Sequence, residues 1–159
     1  MKKLFYIGAL SALLLAACGD EEKGKVEPNE TNEVSNKEDS EYPFPGSELI
    51  GNATITITTP AGDSSNGNTP TLFVGKDDML NQVGIDLENF DGSVETYVYI
   101  NEVFLEKVQA GELTQSSLSL TGDNLKPGEY TVTAVQFTDN DPTKTPFNVT
   151  EAKFKIEES

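Results

Sequence analysis

The chain has no histidine, no arginine and no tryptophan, and one cysteine, Cys18, in 159 residues. Each absence closes a class of chemistry. Without histidine, the commonest general base and the commonest metal-ligating side chain are both missing. A single cysteine permits no intramolecular disulfide and no paired-cysteine site. Eleven lysines face 27 acids, for a formal net charge of −16. Binding to nucleic acid needs a concentrated basic face against the phosphates, so nucleic acid is excluded as a partner. The same balance opposes direct electrostatic attachment to an anionic membrane surface. It favours instead a soluble, monomeric exposed protein. No histidine is present to activate a serine, and no Ser-x-x-Lys motif occurs. Carboxylate pairs suited to glycoside hydrolysis arise by chance in so acidic a chain. The expectation is a protein that is not an enzyme.

One long apolar run is present, at the start. Lys2 and Lys3 precede Leu4 to Leu15, which only small residues such as Gly8 and Ser11 interrupt, and Ala16 and Ala17 follow. A positive end, an apolar middle and small residues at the close make a secretory signal peptide. The run is short of the ~20 apolar residues of a spanning helix. Its last four residues, Leu15-Ala16-Ala17-Cys18, resemble the lipobox of bacterial lipoproteins. That resemblance implies a diacylglyceryl group on the Cys18 thiol and cleavage before Cys18. It also implies localisation at the extracytoplasmic face of the cell membrane. Two acyl chains are what stable anchoring requires. The lysine-rich, arginine-free composition resembles that of a low-GC Gram-positive source.

Residues 19–45 carry nine acids against three lysines, and Val26 and Val34 are the only aliphatic residues before Tyr42. Such a segment buries too little apolar surface to offset its ordering entropy. Residues 18–45 are expected to be a disordered acidic tether. Fully extended it reaches ~90 Å, and as a flexible coil it averages ~30 Å. Tyr42-Pro43-Phe44-Pro45 closes it and suits an extended lead-in onto a folded domain.

From residue 46 the pattern changes to a period of two. Ala53, Ile55 and Ile57 alternate with threonines. Val83, Ile85 and Leu87 alternate likewise, as do Ala152, Phe154 and Ile156, and Leu118 and Leu120 mark a further strand. Strong β-formers also fill 71–74, 94–100, 103–108 and 130–137. Turn signals separate them, with Asn101-Glu102 placed as a tight hairpin turn. About seven short strands without an amphipathic helix predict an all-β, antiparallel immunoglobulin-like β-sandwich over 46–159. Leu125-x-Pro-Gly-x-Tyr130 resembles the turn and tyrosine that open the F strand of such sandwiches. The resemblance implies a hydroxyl of Tyr130 bonded back to the turn. No antibody-type cysteines or tryptophan occur, so the likeness is to disulfide-free, fibronectin-like versions.

Two candidate sites remain. On one register Val98 and Ile100 face the core, and Tyr97, Tyr99, Val135 and Phe137 form an outward aromatic binding face. On the other register the tyrosines are themselves core, because a slip of one residue exchanges the two faces. Calcium needs several converging carboxylates. Asp139 and Asp141 are its best candidates, ahead of Asp63, Asp77-Asp78 and Asp86 with Asp91. Lys153 and Lys155 suit a role in guarding a sheet edge. Asn52 and Asn148 match the glycosylation sequon by accident. The function expected is a membrane-anchored surface lipoprotein whose domain binds an envelope protein or a carbohydrate. The alternative is a structural or accessory subunit of an envelope complex, of immunity or exclusion type.

Overall fold

A computed structural model describes residues 41–159. The signal peptide over 1–17, Cys18 and the tether as far as residue 40 lie outside the described residues. Nine strands follow in order: β1 (Thr54–Thr59), β2 (Gly62–Asp63), β3 (Thr71–Val74), β4 (Leu80–Glu88), β5 (Thr96–Ile100), β6 (Val103–Val108), β7 (Leu113–Thr121), β8 (Gly128–Phe137) and β9 (Pro146–Glu158). They make a four-stranded sheet, β2-β1-β4-β7, and a five-stranded sheet, β3-β9-β8-β5-β6. The chain passes from the first sheet into β5 and β6, back to β7, and again into β8 and β9. That alternation between two packed sheets is the immunoglobulin-like sandwich anticipated from the alternation pattern.

Two strand details differ from expectation. The short β2 lies inside a turn-rich loop whose composition hid it. The β3 strand runs parallel to β9, with Thr71 opposite Lys155, so the five-stranded sheet is not wholly antiparallel. This pairing also makes β9 internal at Lys155 and Ile156. Lys155 therefore does not guard an open edge, because β3 covers it.

The core between the sheets comes directly from the period-two pattern. Ile57, Ile85 and Leu118 from one sheet meet Val98, Val132 and Phe154 from the other, all essentially inaccessible. Burying such side chains is worth ~1.5–3 kcal/mol each. Two local devices hold the register. At the β5–β6 turn, Asn101 and Glu102 both have positive φ, 48° and 70°, the backbone of a type I′ turn. The Asn101 side-chain oxygen accepts from the Thr131 N–H at 3.0 Å, which ties the turn to β8. At the start of β8, the Tyr130 hydroxyl lies 2.7 Å from the Lys126 carbonyl and 3.0 Å from that of Asp123. The bond back to the turn that the tyrosine implied is present.

One end of the core is polar. Gln136 on β8 is fully buried, and its amide nitrogen donates to the carbonyls of Asp91 and Val94 at 2.9 and 3.1 Å. Its oxygen accepts from the Asp91 N–H and from the Asn148 amide, both at 3.0 Å. Every hydrogen-bonding capacity of that amide is used. The loop before β5 is thereby fixed to β8. Asn148, one of the two sequon asparagines, is buried in the same network.

Candidate functional site

The outer face of the five-stranded sheet holds the second cluster of the molecule. With Val98 and Ile100 pointing inward, Tyr97 and Tyr99 of β5 project from the opposite face, beside Val135 and Phe137 of β8. The four residues share a face, as the first register has it. They are not exposed, however: relative exposure is 1% for Tyr97 and 0% for Tyr99, Val135 and Phe137. The expectation of an open aromatic surface is corrected on this point. All five residues of β5 are buried, because this strand has a packed layer on each side.

What covers the face is the segment assigned to the tether on composition. The Tyr42 ring packs 4.3 Å from Phe104 and 5.7 Å from Tyr97. Phe44 meets Tyr99 edge-on at 5.3 Å. The Tyr99 hydroxyl donates to the Pro43 carbonyl at 3.2 Å. Ile50 adds a backbone bridge to Val149 of β9. Directly after Ile50, Gly51 has φ +82°, and a Cβ there would collide with the Asn148 side-chain oxygen and the Phe147 carbonyl, so glycine is required. Residues 42–50 are thus part of the folded unit and not of a free linker.

Electrostatics close the near end of this layer. The Lys107 ammonium stands 4.9 Å from the Tyr42 ring centroid and 5.0 Å from that of Tyr97. It is paired with Glu95 at 3.0 Å. A cation over two ring faces is attracted by both quadrupoles. The Tyr97 hydroxyl donates to the Asn140 carbonyl at 2.9 Å. Burial raises the Tyr97 and Tyr99 phenols above the ordinary tyrosine range, the latter strongly.

The acidic loops serve as turn supports. Asp139 pairs with Lys144 at 2.9 Å. Asp141 accepts from the Thr143 N–H at 3.0 Å and its hydroxyl at 2.6 Å. Between these two acids, Asn140 accepts from the Glu95 N–H at 2.7 Å and so bolts the loop to β5. Asp63 and Asp91 hold Ser65 and Ser93 in the manner of Asp141. Asp78 accepts from the Gly75 N–H at 2.8 Å, and Asp86 from the Gln115 amide at 2.8 Å. Among the described residues no three acidic, histidine or cysteine side chains converge on a point that could hold a metal ion. Asp139 and Asp141 do not assemble the calcium ligand set expected of them, because each is turned onto its own loop.

Two of the concave regions among the described residues lie at the end of the sandwich and beside the aromatic layer. An open cleft of about 470 Å³ lies at one end of the sandwich, floored by Val74, Leu125 and Ile156 with the exposed Met79 at its rim. Lys76 and Lys126 also line it, and Lys126 is paired with Asp123 at 2.8 Å. A second cleft, of about 370 Å³, runs beside Phe44 and is lined by polar residues of the β5–β6 turn, β8 and β9. Sequence reasoning found neither cleft, nor Phe104 and Gln136. The signal within reach was the aromatic–proline alternation at 42–45, which pointed to docking but not to where.

The class defined by this architecture is the immunoglobulin-like β-sandwich. No family model and no curated protein matches the sequence. Among solved structures, fibronectin(III)-like modules of CbhA from Clostridium thermocellum align over 68% of this chain and 99% of theirs, at 4% identity and a TM-score of 0.40. The CARDB domain of the PF1109 protein from Pyrococcus furiosus aligns over 69% of this chain and 97% of its own, at 18% identity and a TM-score of 0.40. A crystal structure of that CARDB domain in complex with di-metal ions aligns over 72% and 100%, at 16% identity and a TM-score of 0.38.

Proposed function

We propose that this chain is a cell-surface lipoprotein, anchored at the extracytoplasmic face of the membrane through Cys18, that presents its sandwich as a non-catalytic binding module. The observation that carries the reading is the order of parts along the chain. A signal-type apolar run ends in Leu15-Ala16-Ala17-Cys18, an acidic stretch follows, and then comes a self-contained all-β unit. A diacylated cysteine would hold the protein to the bilayer. The missing histidine supports binding over catalysis.

Metabolic labelling with an alkyne-bearing palmitate tests the anchor. Wild type is expected to take up label and sediment with membranes. Cys18→Ala is expected to lose the label and to leave the membrane fraction or accumulate as precursor. The melting temperature of its domain should be unchanged. Label or membrane retention persisting in Cys18→Ala would sink the anchor.

A further inference from the structure

We propose that the outer face of the five-stranded sheet is a peptide-binding groove kept filled in cis by Tyr42–Pro45, and that an extended aromatic–proline segment of a partner protein takes the strap's place. The inference rests on the domain being a binding module, and it is independent of the lipid on Cys18.

The strap is attached as a ligand is. Its hold includes ring contacts to Phe104, Tyr97 and Tyr99, the Lys107 ammonium over the Tyr42 ring, and the 3.2 Å bond from the Tyr99 hydroxyl to the Pro43 carbonyl. It forms no strand, and the first backbone bridge to the sheet comes only at Ile50. Between strap and bridge lies Gly46, with φ +109° and open space where a Cβ would be, a pivot that side chains do not obstruct. Proline-rich extended segments dock into aromatic-lined grooves in just this mode, since proline has removed most of their ordering entropy beforehand.

The groove also exceeds its occupant. The polar cleft beside Phe44 continues it past the strap, lined by Asn101, Thr131, Thr133 and Lys153. A longer segment than Tyr42–Pro45 therefore has somewhere to go, with hydroxyls and an amide to meet its backbone. Lifting the strap would bare Tyr97, Tyr99 and Phe104, an aromatic surface that water disfavours and that demands re-covering. Charge selects the source of the cover. Residues 46–159 hold eighteen acids and six lysines, and Glu41 and Glu48 flank the strap itself. A second copy would bring the same negative field, so the segment that fits best belongs to another protein and has basic flanks.

The test uses the full chain in detergent and a synthetic Lys-Lys-Tyr-Pro-Phe-Pro-Lys peptide followed by titration calorimetry. Tyr42→Ala/Phe44→Ala is expected to bind the peptide at least ~10-fold more tightly than wild type, because the cis competitor is gone. Equal affinity in the two proteins, or no binding by a double variant that melts cooperatively, would overturn the proposal. Should the double variant fail to melt cooperatively, Phe44→Ala alone is titrated against the same criteria. Failure of both to fold would also overturn it, since a strap that cannot leave is core. Sedimentation supplies the last arm: a concentration-dependent dimer of wild type that the double substitution abolishes would assign the groove to a second copy's strap and overturn the foreign partner. The titration gives its answer whatever happens to Cys18, and so its failure is distinct from failure of the anchor.

Discussion

Thr96 opens β5 fully buried, and its hydroxyl is the one buried side-chain oxygen or nitrogen among the described residues without a hydrogen-bond partner. A buried hydroxyl left unpaired forfeits its hydration with nothing in return, at ~1–3 kcal/mol. Valine has the same shape without the hydroxyl and the same preference for strands. Thr96→Val is therefore expected to stabilise the domain by ~0.5–1.5 kcal/mol, read as a higher midpoint in urea. A lower midpoint would show that the hydroxyl has a partner in solution, such as water. The aspartates illustrate the opposite economy at the same scale. Asp63, Asp91 and Asp141 each accept from the hydroxyl and the backbone N–H two residues on, which is the local bonding that aspartate offers a turn. Acidic residues in loops thus have a structural use that the composition alone does not separate from metal binding.

At the scale of elements, β8 is the central organiser. It pairs with β5 on one side and β9 on the other, and it contributes to both clusters. Tyr130 fixes its start and Gln136 fixes its end. Gln136→Leu would leave the Asp91 N–H, the Asp91 and Val94 carbonyls and the Asn148 amide without their present partner. The expected cost is ~2–4 kcal/mol, on the scale for orphaned buried polar groups. Equilibrium denaturation in urea measures it, and a loss under ~1 kcal/mol would show that water replaces the amide. Leucine is no less apolar than its surroundings, so this loss cannot be read as a hydrophobic deficit.

The whole molecule answers to pH through two opposed effects. At neutral pH the excess of eighteen acids over six lysines in residues 46–159 strains the folded state by self-repulsion, which relaxes as glutamates protonate. Glu106 adds to this, because burial raises its carboxyl above the usual range and its charged form is disfavoured by folding. The turn aspartates act the other way. Hydroxyl and backbone bonds from Ser65, Ser93 and Thr143 hold the carboxyls of Asp63, Asp91 and Asp141 below the usual aspartate range. A depressed folded pKa gives stability that is present above the unfolded value and lost as pH falls through the folded one. The melting temperature is expected to rise from pH 7 to about pH 5 and to fall again below about pH 4. A monotonic fall from pH 7 would show that repulsion is already screened.

Sequence alone determined the class of the domain, because period-two alternation is a property of each strand by itself. It also determined the β5–β6 turn, whose residues are adjacent, while the Tyr130 corner was legible through the resemblance of Leu125-x-Pro-Gly-x-Tyr130 to the start of an F strand. It placed Tyr97, Tyr99, Val135 and Phe137 on a common face, subject to one choice of register. Tertiary structure decided which register holds and what lies over that face. The Tyr99 hydroxyl meets the Pro43 carbonyl 56 positions away, and no local pattern encodes such a meeting. Both faces of β5 are apolar, so alternation could not tell a bare surface from one that residues 42–50 cover. The direction of each loop carboxylate was likewise settled only by the fold, because the same aspartate can face a metal ion or its own turn.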